Sequence, residues 1–149
     1  MPKRQTDQAQ KAELAERLRH AGLRPTRQRV TLGKLLFQGG HRHVTPEILH
    51  QEAVAIGEAV SLATVYNTLH QFTEAGLLRQ GAVDFDYSYF DTNTEPHQHF
   101  YIEDDRLLID IPGNDISVAG LPSLPGGTNF DRVDVVVRLR RGPRINPCW

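Results

Sequence analysis

The first half of the chain carries apolar residues at helical spacing, in four segments that each end at glycine. Leu14, Leu18 and Ala21 mark the first segment, and Gly22 is its predicted C-cap. The second segment is predicted to open at residues 25–26 and to stop at the two glycines of residues 39–40. This pattern predicts a helical N-terminal module.

The third and fourth segments have well-defined helix starts. Thr45 is a predicted N-cap, with Pro46 at the first helical position and Glu47 in the first turn. Ser61 is the predicted N-cap of the fourth helix. The residues expected to be buried are Ile48, Leu49, Ala53 and Ile56 in the third helix, and Leu62, Val65, Leu69 and Phe72 in the fourth.

After the fourth helix the pattern changes to that of short β-strands. Residues 77–83 and 85–90 are predicted strands, and Phe85, Tyr87 and Tyr89 fall on one side of the second. Two strands directly after a run of helices are typical of the wing of a winged helix-turn-helix. Further strands are predicted at residues 99–102, 107–111 and 132–139. The Gly- and Pro-rich stretch between the last two holds at most a short helix.

These elements predict an α+β protein with two domains. We expect residues 1–90 to form a winged-helix DNA-binding domain, and residues 91–96 to form a polar hinge. We expect residues 97–141 to form a small α+β domain for dimerisation and ligand sensing, and residues 142–149 to form a flexible tail. There is no long apolar run and no apolar segment near the N-terminus, so we expect a cytoplasmic protein without a membrane segment.

The distribution of charge separates the two predicted domains, although the net charge of the chain is only −1. Residues 1–46 carry ten Lys and Arg against three Asp and Glu. Residues 84–131 carry ten Asp and Glu against a single Arg106. A basic first part suits contact with phosphates, although solvated helix faces are often basic without any such partner.

The helix that Ser61 opens is the candidate for insertion into the DNA major groove. On its polar side, Thr64 can meet a thymine methyl, Tyr66 a phosphate or base, and Asn67 can pair bidentately with adenine. His70 lies on the same side. Near the start of the second helix, three arginines are candidates for phosphate contacts: Arg24, Arg27 and Arg29. The alternative is that the fourth helix is simply amphipathic, with an ordinary solvated face.

Beyond the hinge, His97 and His99 flank Gln98 on an extended segment. Residues two apart on a strand project to the same side, about 6.5 Å apart along the chain. Two imidazoles placed this way can converge on one small cation. Surface histidines are common, so the pair alone is weak support for a metal site.

Three motifs resemble those of the ferric uptake regulator family over roughly residues 10–140. Residues 22–29 (GLRPTRQR) are similar to its opening motif, and residues 61–69 (SLATVYNTL) are similar to its recognition helix. Residues 72–77, with Ala75, Gly76 and Leu77, follow in register. The resemblance implies a homodimeric transcription regulator that binds a double-stranded DNA operator. Many relatives have arginine at the position of Asn67, which implies a different operator preference here.

The resemblance also implies a regulatory metal site. Its ligands match His43 before the third helix, Asp91 at the end of the wing, and His97 and His99 after the hinge. Three imidazoles and one carboxylate suit Fe(II), Mn(II) or Zn(II). In this scheme the metal-loaded protein binds DNA.

The chain further resembles the haem-responsive branch of the family, the iron response regulators. That resemblance implies haem bound at His97 and His99, with DNA binding lost when haem is bound. This haem-responsive function is the leading prediction from the sequence, and the metal-responsive regulator is the alternative. Two histidines on the same side of one strand cannot easily sandwich a porphyrin, so one of them would ligate the iron with a second ligand from elsewhere. Many members of the branch have a third histidine where this chain has Gln98, and Cys148 is a further candidate haem ligand.

A single cysteine excludes the four-cysteine structural zinc that most of the broader family carries. The first cysteine pair would fall at Ile102 and Asp105. The dimer must then depend on strand pairing and apolar burial, with Val133, Val135 and Val137 as interface or core candidates. Asp110 matches an acidic position of a second metal site whose other ligands are missing here. A small metalloenzyme is a further alternative, although the sequence has no nucleophile–base set and no phosphate loop.

Overall fold

A computed structural model of the chain describes residues 2–84, 87–113 and 115–143. Phe85 of the predicted wing alternation and the candidate haem ligand Cys148 lie outside these residues. The chain divides into two compact units, Met1–Thr94 and Glu95–Trp149. The domain, hinge and tail boundaries proposed from the sequence stay predictions. In the described parts of the chain, no helix is both long and apolar enough to cross a membrane.

The described residues of the first unit form four helices and three short strands. Its elements are α1 (Pro2–His20), α2 (Arg27–Phe37), β1 (His43–Val44), α3 (Pro46–Ala55), α4 (Leu62–Glu74), β2 (Arg79–Asp84) and β3 (Tyr87–Asp91). The strands form one antiparallel sheet in the order β1-β3-β2. Four helices followed by a β-hairpin match the predicted order of elements, except that β1 was not predicted.

Side-chain caps fix the starts of three helices at the predicted residues. The hydroxyl of Thr26 accepts a hydrogen bond from the Arg29 amide at 3.3 Å. Thr45 caps α3 in the same way, and Ser61 accepts from the Thr64 amide at 3.1 Å to cap α4. Each cap satisfies an amide that has no partner within its own helix. At the other end of α4, Gly76 has a φ of 80°, a conformation that side chains other than glycine rarely adopt.

The core of the first unit lies among the helices and the sheet. Val65, Leu69 and Phe72 of α4 are fully buried, as predicted, together with Leu49 and Ala53 of α3. Three residues that the sequence predicted to be buried in or beside these two helices are exposed, so those predictions were wrong. The exposed fractions are 42% for Ile48, 60% for Ile56 and 41% for Leu62. The buried face of each helix is therefore narrower than hydropathy alone indicates: Ile48 and Leu62 lie in the first turns of α3 and α4, and Ile56 follows the end of α3.

The second unit is built on a three-stranded sheet with the order β5-β4-β6. Its elements are β4 (Gln98–Ile102), a 3-10 turn (Glu103–Asp105), β5 (Leu107–Ile111) and β6 (Val136–Leu139). Strand β4 pairs antiparallel with β5 and parallel with β6. Among the described residues this unit has no α-helix. The mixed α+β class of the whole chain is confirmed.

The last strand is shorter than predicted. It begins at Val136 rather than at Arg132, and Val133, Val135 and Val137 are all half-buried. The Val135 amide donates to the Gln98 side-chain oxygen at 2.6 Å. At this position a side-chain oxygen, rather than a backbone carbonyl of β4, accepts the hydrogen bond. The parallel pairing with β4 therefore starts one residue later.

Ion pairs join the turn between β4 and β5 to the chain around the end of β6. Arg138 donates to Glu103 at 3.0 Å, and Arg140 lies 3.4 Å from the same carboxylate. The guanidinium of Arg141 donates to Asp105 at 2.6 Å, and this contact raises the pKa of Arg141. These contacts occupy the place where the family resemblance implies a cysteine pair.

We expect Leu69→Ala to destabilise the first unit by about 3 kcal/mol, because it removes a fully buried side chain from the middle of α4. Urea unfolding followed by circular dichroism measures the loss. The matched control is Ile56→Ala, an apolar truncation at a side chain that is 60% exposed, which should change stability by less than about 1 kcal/mol. Equal losses in the two variants would contradict the packing described here.

Candidate functional site

His43 and Asp91 face each other across two paired strands of the first unit. Antiparallel pairing of β1 with β3 puts the two residues in register. The His43 Nε2 lies 3.2 Å from an Asp91 carboxylate oxygen. Asp91 is only 1% exposed, and its other oxygen accepts a hydrogen bond from the Asn93 amide at 2.9 Å. The family resemblance implies both residues as metal ligands, and strand register explains why they meet.

The His43 ring is also held from the side. It makes an edge-to-face contact with the ring of Tyr89, with the centroids 5.4 Å apart. Tyr89 is itself buried and leaves no room for a side chain at Gly81, where an added Cβ would lie 2.5 Å from the Tyr89 ring. The glycine therefore lets a large aromatic residue pack across the hairpin beside a candidate ligand.

His97, His99 and Asp110 form a compact cluster within the second unit. The Nε2 atoms of His97 and His99 lie 3.4 Å and 3.3 Å from the same oxygen of Asp110. The two imidazole centroids are 4.5 Å apart, and both rings are buried. Pairing of β4 with β5 puts His99 opposite Asp110. The three side chains can offer ligand atoms that all lie within 4.8 Å of one another.

Hydrogen bonding fixes which nitrogen of His97 can bind a metal. Its Nδ1 lies 2.6 Å from the Glu95 carbonyl oxygen. Because a carbonyl only accepts, Nδ1 must carry a proton, and Nε2 is the nitrogen left for an ion. A backbone carbonyl that orients a histidine in this way is a common feature around metal ligands.

Asp110 is the residue that sequence reasoning left out of this cluster. The sequence placed it in a separate second site, for which the other ligands were missing. The signal that could have found it is the strand pattern, because a turn between residues 102 and 107 brings β5 back along β4. With that register, Asp110 lies beside the two histidines.

The candidate DNA-contacting residues of α4 differ in how far they reach solvent. Tyr66 and Asn67 are exposed, whereas Thr64 and His70 are half-buried. The Thr64 hydroxyl lies 2.9 Å from the Ser61 hydroxyl at the helix cap. The His70 ring packs between Tyr66 and the buried Phe90, with centroid distances of 4.8 Å and 5.4 Å. Tyr66 and Asn67 are thus the most accessible of the four.

The three candidate arginines also differ. Arg24 and Arg27 are exposed, and Arg27 makes only a long contact of 3.7 Å with Glu58. Arg29 is half-buried and donates through Nε and Nη2 to the Gln71 side-chain oxygen at 3.3 Å and 3.0 Å. Its Nη1 donates to the Arg24 carbonyl at 2.9 Å. Arg29 therefore joins α2 to α4, a structural role that the sequence did not reveal.

Comparisons with known proteins agree with this architecture. The model of the ferric uptake regulator family matches residues 20–120. The ferric uptake regulation protein of Vibrio parahaemolyticus is 34% identical over 80 residues, which are 54% of this chain and 54% of that protein. The chain thus spans about half the length of the curated relatives it matches.

Solved structures extend the likeness over more of the chain. The ferric uptake regulator from Pseudomonas aeruginosa with manganese aligns with a TM-score of 0.64 and 25% identity, over 86% of this chain and 97% of that one. The Vibrio cholerae ferric uptake regulator aligns with a TM-score of 0.66 and 21% identity, over 85% and 98%. Because the family model covers more than half of its residues, the chain belongs to the ferric uptake regulator family.

We expect Arg29→Ala to lower the stability of the first unit by about 1–2 kcal/mol, because it removes three hydrogen bonds from a charged group. Urea unfolding measures this change. Arg27→Ala is the matched control and should be close to neutral, since the Arg27 side chain is 85% exposed. The Arg29→Ala/Gln71→Ala double variant should lose less stability than the sum of the two single losses, because either single change already breaks the contact. Strict additivity would show that the two side chains do not act together.

Proposed function

We propose that this protein is a homodimeric, metal-responsive DNA-binding transcription regulator. The observation that carries the proposal is the cluster of His97, His99 and Asp110, in which two imidazole nitrogens converge on one carboxylate oxygen. Such a set, on a chain that also carries a capped helix with exposed Tyr66 and Asn67, combines an effector site with a DNA-reading element. Membership of the ferric uptake regulator family supports this combination and disfavours an enzyme.

The DNA-binding part of the proposal rests on the first unit. Helix α4 presents Tyr66 and Asn67 to solvent while Val65, Leu69 and Phe72 anchor it in the core. An asparagine in this position can read adenine through two hydrogen bonds in the major groove. Arg24 and Arg27 are exposed and supply positive charge for phosphates, whereas Arg29 donates a hydrogen bond to Gln71 of α4.

The effector is proposed to be one divalent ion held by His43, Asp91, His97 and His99, and Asp110 lies beside His97 and His99 within the second unit. Asp91 and His97 are six residues apart, and such a link spans at most about 20 Å. Imidazole and carboxylate ligands suit Mn(II), Fe(II) and Zn(II), and the Pseudomonas aeruginosa relative was solved with manganese. Binding of the ion is proposed to favour the DNA-binding form.

The haem hypothesis rests on the resemblance of the His97–His99 pair to the motif of iron response regulators. The axial ligands of haem approach the iron from opposite faces of the porphyrin. Here both Nε2 atoms contact the same Asp110 oxygen, an arrangement that suits a small cation. We therefore favour a divalent ion, and release of DNA by haem is a distinct outcome of the test below.

The dimer is proposed to form through the second unit. In its described sheet, β5 is an edge strand, and Leu107 and Ile109 on it are 45% and 42% exposed. Val133, Val135 and Val137 are half-buried within one chain and remain candidates for the same interface. Two such chains would present two copies of α4 to a symmetric operator.

We expect Mn(II) to increase the affinity of the full chain for its operator at least tenfold. Fluorescence anisotropy with an operator selected from a random duplex library measures this change. His97→Ala and His99→Ala should remove the metal response but leave weak metal-independent binding. Asn67→Ala should lose about 1–3 kcal/mol of specific binding at every metal concentration, because its contact is with the base.

The same assay distinguishes the competing effectors. If haem releases the DNA, with a Soret band that changes in His97→Ala or His99→Ala, the haem-responsive function replaces the metal-responsive one. The proposal fails if no duplex is bound, or if DNA binding is the same with Mn(II), with chelator and in the histidine variants.

A further inference from the structure

The backbone segment that carries His43 is a very short strand that follows two glycines. Strand β1 contains two residues only, and it follows Gly39 and Gly40, both of which have positive φ. Glycines in this conformation give the backbone freedom that other residues lack. A two-residue strand offers few ladder hydrogen bonds. The placement of His43 opposite Asp91 therefore needs support from outside the strand.

The residue immediately before His43 supplies that support. Arg42 forms a bidentate ion pair with Glu52 of α3, with N···O distances of 2.8 Å and 2.6 Å. The Arg42 Nη1 also donates to the Leu35 carbonyl of α2 at 3.2 Å. Both partners of the ion pair are about one-third exposed. A planar guanidinium held by three acceptors fixes orientation more strongly than a single contact does.

The backbone of Arg42 is also held by hydrogen bonds to Thr92, the residue that follows strand β3. Its amide donates to the Thr92 hydroxyl at 2.8 Å, and the Thr92 amide donates to the Arg42 carbonyl at 3.1 Å. Thr92 directly follows Asp91 and is 6% exposed. The Arg42–Thr92 pair thus extends the β1–β3 register by one position beyond the two candidate ligands.

We propose that Arg42, Glu52 and Thr92 are positioning residues for the metal ligands His43 and Asp91. This inference rests on the proposed metal-sensing function and deepens it. The bidentate pair holds β1 against α2 and α3, and the reciprocal hydrogen bonds hold β1 against the end of β3. Through Glu52, the placement of His43 is tied to α3, the helix that precedes α4. The three residues are not ligands, and they act on the metal only through His43 and Asp91.

The test is a Co(II) titration of the full-length chain, followed by visible absorption, which reports both affinity and coordination geometry. We expect Glu52→Gln to weaken Co(II) binding about tenfold and to change the Co(II) band, as loss of a ligand-orienting partner does. Arg42→Lys keeps the positive charge but not the planar guanidinium that binds both Glu52 oxygens. We therefore expect a smaller loss of Co(II) affinity than in Glu52→Gln. Glu16→Gln is the matched control, because it removes the carboxylate of an exposed ion pair with Arg19 in the same unit.

A double-variant cycle separates positioning from general destabilisation. In a His43→Ala background, Glu52→Gln should cause a smaller loss of Co(II) affinity than in wild type, because one of the two ligands that the network positions is absent. An undiminished loss in that background, or Co(II) binding by Glu52→Gln and Arg42→Lys within twofold of wild type, overturns the inference. If wild type itself shows no saturable Co(II) band, the proposed metal-sensing function fails instead.

Discussion

The first unit depends on strand β3, because its last two residues make different contacts. Phe90 packs into the core, and Asp91 faces the candidate ligand His43. It pairs with β1 on one side and β2 on the other. Side chains alternate along a strand, so adjacent residues point to opposite faces. Phe90 is fully buried in the core and contacts His70 of α4. The next residue, Asp91, faces His43. One strand thus links the packing of the candidate DNA-reading helix α4 to a candidate ligand pair, and a different residue makes each contact.

In the second unit, arginine side chains compensate for the negative charge of an acidic turn. Its turn at residues 103–105 carries three consecutive acids, and like charges so close together repel one another. Arg138, Arg140 and Arg141 compensate from the chain around the end of β6. The contacts are largely solvent-exposed, so each contributes little stability and is weakened by salt. Because β4 begins at the candidate ligands and ends at this turn, the ion pairs stabilise the far end of the strand that holds His99.

Local signals in the sequence were sufficient for the order and the starts of the helices, whereas the candidate ligand set was implied by the family resemblance. Thr26, Thr45 and Ser61 act as caps within one turn of the chain, and such contacts can be read from spacing. Strand β1 escaped prediction because two residues are too few for a periodic pattern. Asp110 and the Arg29–Gln71 contact escaped because they depend on pairing between distant segments, which spacing alone does not reveal. The exposed Leu62 and Ile56 show the same limit, since hydropathy cannot tell where the core ends.

The arrangement of the two candidate ligand sets bears on how an ion could act as a signal. His43 is already within 3.2 Å of Asp91, and His97 and His99 already share Asp110, so little reorganisation within either unit is needed for binding. A ligand shifts a conformational equilibrium only by the difference in its affinity for the two states. An ion therefore favours the conformer in which the side chains of a set hold the described arrangement over one in which they are apart. The response to metal would then arise from the number of ligands available in each conformer, rather than from any refolding of the sites themselves.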